Sequence, residues 1–146
     1  MSTNQPRRPA GTPAGGQWAP SAHDEADIDL APTMTERNGT REWRLHDKLH
    51  RTDGPAVERP GGTKEWWMND QLHRTDGPAV ECADGGREWW LEGNLHRTDG
   101  PAVEGAKGDK LWYFHGELHR DDGPAVEWPD GAGLWYCHGE IVRPGA

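Results

Sequence analysis

The chain has 146 residues, of which 32% are hydrophobic, with 20 glycines and 12 prolines, a composition that argues against a helical bundle and against an apolar membrane span. Its formal charge of -9 at pH 7 argues against nucleic acid as a partner, because binding a phosphate backbone takes clustered Lys and Arg. Nine tryptophans against one phenylalanine nevertheless promise a folded chain, since each indole that leaves water removes a large apolar area.

Residues 1–31 place Pro6, Pro9, Pro13, Pro20, Gly11, Gly15 and Gly16 among small residues and then add Asp24, Glu25, Asp27 and Asp29. Such a segment buries too little apolar surface to offset the entropy of ordering it, so a disordered N-terminal arm is expected there. Trp18 and the stretch from Ile28 to Leu30 are its candidate docking points. No apolar run follows the basic residues near the N-terminus, and Cys82 and Cys137 are isolated thiols. Both features predict a cytoplasmic protein in a reducing compartment.

From Pro32 onward the sequence is five copies of a 23-residue unit, 32–54, 55–77, 78–100, 101–123 and 124–146. The string Leu-His-Arg-x-Asp-Gly-Pro-Ala-Val-Glu begins at Leu49, Leu72, Leu95 and Leu118, and Trp recurs at Trp43, Trp66, Trp89, Trp112 and Trp135. The first copy opens Pro32-Thr33-Met34-Thr35 and the last closes Ile141-Val142-Arg143-Pro144, both unlike the inner units. Atypical outer copies are expected to cap a stacked array.

Turn residues recur at three places in each unit. The first is Gly39, Gly62, Gly85, Gly108 and Gly131; the second is Asp47, Asp70, Gly93, Gly116 and Gly139; the third is the Asp-Gly pair before each Pro. The intervals between them are too short for a helix and suit strands, and Pro after Asp-Gly suits the start of one. The predicted fold class is therefore all-β: an elongated antiparallel meander, solenoid-like, of two or three short strands per unit and about 10 Å per two-strand repeat. One unit alone buries too little to fold, so stability belongs to the array. Alternation along the aromatic strand puts Trp66 and Met68 on one side, as it does Trp89 and Leu91, Trp112 and Phe114, Trp135 and Cys137. That side is the predicted core, with Cys137 as a small core residue. The other side carries a second aromatic column, Trp67, Trp90, Tyr113 and Tyr136.

The period, the aromatic strand and the turn glycines resemble the MORN-type repeat, and LHRTDGPAVE is similar to a MORN-like variant of bacterial and phage proteins. The resemblance covers residues 32–146; Glu-Trp-Trp and Asp-Gly-Pro stand where the usual unit has Tyr-x-Gly and Gly-x-Gly. It implies an elongated β-sheet scaffold used for protein contacts, and related bacterial repeats occur in antitoxins.

Candidate chemistry sits in columns. His50, His73, His96 and His119 recur at a spacing of roughly 10 Å, too far apart to share a zinc ion whose ligand nitrogens lie about 2.0 Å from it. A hydrogen-bonding ladder is expected of them, and neither a metal nor a cofactor. His119-Arg120-Asp121 spells a kinase catalytic triplet, but Val126 stands where the metal-binding Asn belongs. A residue set repeated four times points to folding, and no enzymatic activity is expected. Arg51, Arg74, Arg97 and Arg120 should each lie beside a carboxylate of their own or the next unit, Asp53, Asp76, Asp99 and Asp122 foremost, fixing the register between units. Asp53 is expected to meet either Arg51 or Arg74. The partner-binding candidates are Trp67, Trp90, Tyr113 and Tyr136, because regularly spaced Trp and Tyr anchor protein interfaces. The expected function is a non-catalytic scaffold that binds another protein, a basic one given the acidic surface. The alternative is a small-ligand or carbohydrate binder using the same column.

Overall fold

The computed structural model describes residues 31–145. The arm expected over 1–31, with Trp18, lies outside the described residues except for Ala31. All elements of the described residues are strands: β1 (Thr33–Arg37), β2 (Thr40–Leu45), β3 (Lys48–Leu49), β4 (Val57–Glu58), β5 (Lys64–Glu65), β6 (Trp67–Met68), β7 (Gln71–Leu72), β8 (Val80–Glu81), β9 (Arg87–Glu88), β10 (Trp90–Leu91), β11 (Asn94–Leu95), β12 (Val103–Glu104), β13 (Lys110–Leu111), β14 (Tyr113–Phe114), β15 (Glu117–Leu118), β16 (Val126–Glu127), β17 (Gly133–Cys137) and β18 (Glu140–Val142). The main sheet runs β1-β2-β4-β5-β8-β9-β12-β13-β16-β17-β18, with β3 also beside β2. The hairpins β6–β7, β10–β11 and β14–β15 form separate two-stranded ladders. The fold of this region is all-β, a long antiparallel meander. No helix among the described residues is long and apolar enough to cross a membrane.

Each inner unit is two hairpins in series, and the turns follow from the residues that make them. Between β4 and β5 the Arg59 N–H donates to the Thr63 carbonyl and the Gly62 N–H to the Arg59 carbonyl, both at 2.9 Å. Between β6 and β7 the two turn residues, Asn69 and Asp70, have φ of 50° and 64°, the two-residue geometry whose twist matches antiparallel strands. Glu92 holds the same conformation at φ 50° beside Gly93 at 78°, a strained choice for a residue with no special tolerance of it.

The third turn position has a different logic. Gly54, Gly77, Gly100 and Gly123 are not among the positive-φ residues; an added Cβ would instead lie 3.1, 3.1, 3.0 and 2.7 Å from the guanidinium carbon of Arg51, Arg74, Arg97 and Arg120. Glycine stands there to let an arginine pass.

The interior is not the predicted one. The buried apolar residues are Ala56, Ala79, Ala102 and Ala125, all at 0% exposure, with Val57 and Val126. The Trp66 N–H donates to the Ala79 carbonyl at 2.7 Å, and the same bond joins Trp43 to Ala56, Trp89 to Ala102 and Trp112 to Ala125. These bonds fall where the chain passes from one hairpin of a unit to the next. Alanine lets the backbones approach there.

Register identifies the two faces. Val57 lies opposite Glu65, Glu65 opposite Val80, and Val80 opposite Glu88. The Trp67 Nε1–H donates to Glu65 at 2.9 Å and that of Trp90 to Glu88 at 2.8 Å, which puts the second aromatic column on the valine face. The side carrying Trp66 and Met68, predicted to be the core, is only partly covered. Trp66, Met68, Trp89 and Leu91 are half-buried, Phe114 is 36% exposed and Cys137 is exposed. Alternation separates two faces but does not say how each is covered, and here an arginine rather than a second sheet lies over Trp43, Trp66, Trp89 and Trp112.

That same face carries charges of alternating sign from strand to strand. Arg41 pairs with Glu58, Glu58 with Lys64, Lys64 with Glu81, Glu81 with Arg87, Arg87 with Glu104, Glu104 with Lys110, and Lys110 with Glu127. Opposite charges across a ladder favour this pairing, and a one-residue slip would set valine on the charged face.

Candidate functional site: a row of clefts between repeats

The arginine column organises the face that carries Trp66 and Met68. Arg97 lies with its Cζ 3.9 Å from the centre of the Trp89 ring. It donates from Nε to Asp99 at 2.8 Å and from Nη1 to the Pro101 carbonyl at 3.0 Å and to Glu104 at 3.1 Å. The pattern repeats for Arg74 with Trp66, Asp76, Pro78 and Glu81, and for Arg120 with Trp112, Asp122, Pro124 and Glu127. Arg51 covers Trp43 and bonds Asp53 and Pro55, with Glu58 at 4.0 Å. Asp53 thus meets Arg51, the arginine of its own loop. The glutamates that close Pro-Ala-Val-Glu are partners the residue pattern had already printed, seven positions after each arginine.

These arginines are half-buried, whereas the Asp partners stand about 80% exposed. The guanidinium hydrogen bond, and then its charge, holds the carboxyls of Asp53, Asp76, Asp99 and Asp122 below the ordinary range, so each stays ionised down to unusually acid pH. The Arg51 N–H also donates to the Trp67 carbonyl of the following unit at 3.2 Å, as Arg74, Arg97 and Arg120 do to Trp90, Tyr113 and Tyr136. One residue type thereby ties an indole, a turn and the next repeat together.

Successive Arg-x-Asp-Gly loops wall three clefts. The first lies between Arg51–Gly54 and His73–Asp76 over Trp66 and Met68, with a volume of about 470 Å³. The second, about 500 Å³, lies over Trp89 and Leu91; the third, about 660 Å³, lies over Trp112 and Phe114. Each offers an apolar floor, an arginine on either wall and exposed carboxylates at the rim. Comparison of the chain with protein-family models and with curated proteins finds no match. The reading of the clefts therefore rests on their chemistry.

The histidine column holds the second hairpin of each next unit. His50 Nδ1 accepts the Asn69 N–H at 3.3 Å, His73 that of Glu92 at 3.1 Å, His96 that of His115 at 3.0 Å and His119 that of His138 at 3.2 Å. All four donors sit at the first position of a positive-φ turn. The same bonds bring imidazoles together across units: His96 and His115 have ring centres 4.2 Å apart, as do His119 and His138.

An imidazole accepts at Nδ1 only while that nitrogen is unprotonated, so protonation of the ring breaks such a bond. For His96, burial and then the neighbouring His115 push the pKa down. The folded state therefore binds this proton less readily than the unfolded chain. The stabilisation is complete above the unfolded value of about 6.5 and is lost as pH falls through the folded one. The expected result is a thermal midpoint lower at pH 5 than at pH 7.5, with a smaller drop in His96→Leu; identical slopes for the two proteins would refute it.

Trp67, Trp90, Tyr113 and Tyr136 stand in step on the valine face, opposite Leu72, Leu95, Leu118 and Ile141. All four are half-buried, and the indole N–H groups of the two tryptophans are satisfied internally. The clefts escaped the sequence reading because it assigned their floors to the core.

Proposed function

We propose that the chain is a non-catalytic scaffold of MORN-like repeats that binds another protein, taking a basic, extended segment along the row of clefts. The observation that supports this reading is the combination repeated in each cleft: an indole floor beside a carboxylate at the rim that is about 80% exposed and held ionised. A lysine or arginine fits such a place, its aliphatic stem on Met68, Leu91 or Phe114 beside the arginine-covered indole and its charge at the exposed aspartate. Repetition at one unit spacing lets weak single contacts add along one strand of partner. The formal charge of -9 draws a cationic segment in and rejects an acidic one.

A lysine-rich peptide should bind the full chain with an affinity that falls as salt rises, and a glutamate-rich peptide of equal length should not. Asp76→Asn with Asp99→Asn keeps an acceptor for each arginine while removing the charge, and should weaken binding about tenfold, on the order of 1.4 kcal/mol. Trp67→Ser with Trp90→Ser, under conditions where the far-ultraviolet spectrum shows the sheet kept, should leave binding unchanged. Loss confined to the tryptophan pair would move the interface to the other face, and equal binding of both peptides would end the proposal.

A further inference from the structure

We propose a metal site, suited to zinc(II), at the last junction between repeats, formed by His119, Cys137 and His138. Each offers one ligand atom, and these atoms all lie within 4.8 Å of one another. Around a tetrahedral zinc with Zn–N of about 2.0 Å and Zn–S of about 2.3 Å, donors sit roughly 3.5 Å apart, so a small inward turn of the side chains closes the site. Two of the three are free to make it: Cys137 is exposed and the His138 side chain is 63% exposed. His119 is the fixed member, 15% exposed with Nε2 3.4 Å from Asp121. Two imidazoles and a thiolate suit zinc or another borderline-soft ion and do not suit magnesium or calcium. Water or Glu117, whose Oε2 lies 3.6 Å from His138 Nδ1, supplies the fourth ligand.

The repeats contain their own controls. The position of Cys137 holds Met68, Leu91 and Phe114 in the inner units, and that of His138 holds Asn69, Glu92 and His115. The His96–His115 junction therefore has both imidazoles and no thiol. The column spacing that rules out sharing an ion along His50, His73, His96 and His119 still applies; the donors that meet come from three different columns.

Two balances follow from the chemistry. Binding takes the proton from the Cys137 thiol and releases it to solvent, so affinity rises with pH. Coordination at His119 Nδ1 displaces the His138 N–H it now accepts, and coordination at Nε2 moves the ring proton to Nδ1, which ends the same bond. The ion thus replaces a hydrogen bond at this one turn, and the His138 amide should exchange faster in the loaded protein.

The test is a titration of the full, reduced, metal-free chain with cobalt(II) as a spectroscopic stand-in for zinc. One equivalent should bind with a thiolate-to-cobalt charge-transfer band, and zinc should displace it. Cys137→Phe and His138→Asn, which install residues that other repeats carry, should each weaken binding at least about tenfold. Cys82→Ala should leave it unchanged, and Phe114→Cys should add a second equivalent at His96 and His115. Absence of the thiolate band in the unmodified chain, its survival in Cys137→Phe, or its loss in Cys82→Ala would overturn the site.

Discussion

Arg97→Ala should lower the stability of the repeat region by about 2–3 kcal/mol, read as a fall in the denaturant midpoint. The two ion pairs contribute little of this, because Asp99 is 80% and Glu104 33% exposed and water screens both. The larger part comes from the half-buried Pro101 carbonyl, which loses its donor at 3.0 Å, and from Trp89, which loses the guanidinium lying 3.9 Å above its ring. Gly100, kept free of a side chain so that Arg97 can pass, would then face the open cleft. Lys107→Ala is the comparison: it is an exposed residue in a turn, and such substitutions stay within about 0.5 kcal/mol. Equal midpoints for the two variants would show that the arginine column does not hold the units together.

The second large effect concerns volume. Ala102 is fully buried, and its carbonyl accepts the Trp89 N–H at 2.7 Å, so backbones meet where a longer side chain would have to go. Ala102→Leu should cost about 1–3 kcal/mol by overpacking, although the same exchange on an exposed surface is nearly neutral. Ala106→Leu, at an exposed position of the next turn, supplies that reference. A midpoint unchanged in Ala102→Leu would mean that the alanine seam is loose and that the tryptophans carry the packing after all.

Much of the architecture was legible before any coordinates. The 23-residue period, the turn residues and the Pro after each Asp-Gly led to an antiparallel meander, because each is a local constraint that survives whatever the chain packs against. That Arg51, Arg74, Arg97 and Arg120 each meet an Asp followed from charge and spacing, but the choice between the Asp of the same loop and that of a neighbouring unit was open until the geometry placed each arginine on its own loop. What stayed hidden is what depends on the third dimension. Trp66 and Trp67 differ by one position and look alike in sequence; only the register of Val57 against Glu65 shows which indole shares the valine face. Ala79 reads as filler until its neighbour's N–H is seen bonded to it. Cys137 looks like a small replacement for Phe114, and it does occupy that column, but the outermost unit leaves it exposed.

The identity of the parts at each junction bears on how such a chain can change in length. Arg74 and Arg97 touch the same kinds of atoms in the same geometry, so excising 75–97 and joining Arg74 to Thr98 would rebuild a junction indistinguishable from those lost. Duplication of one segment would extend the track by one more cleft in the same way. Copy number can thus change without any new kind of junction, so long as enough units remain to bury one another, and the length of the row of clefts becomes a quantity that simple recombination can adjust.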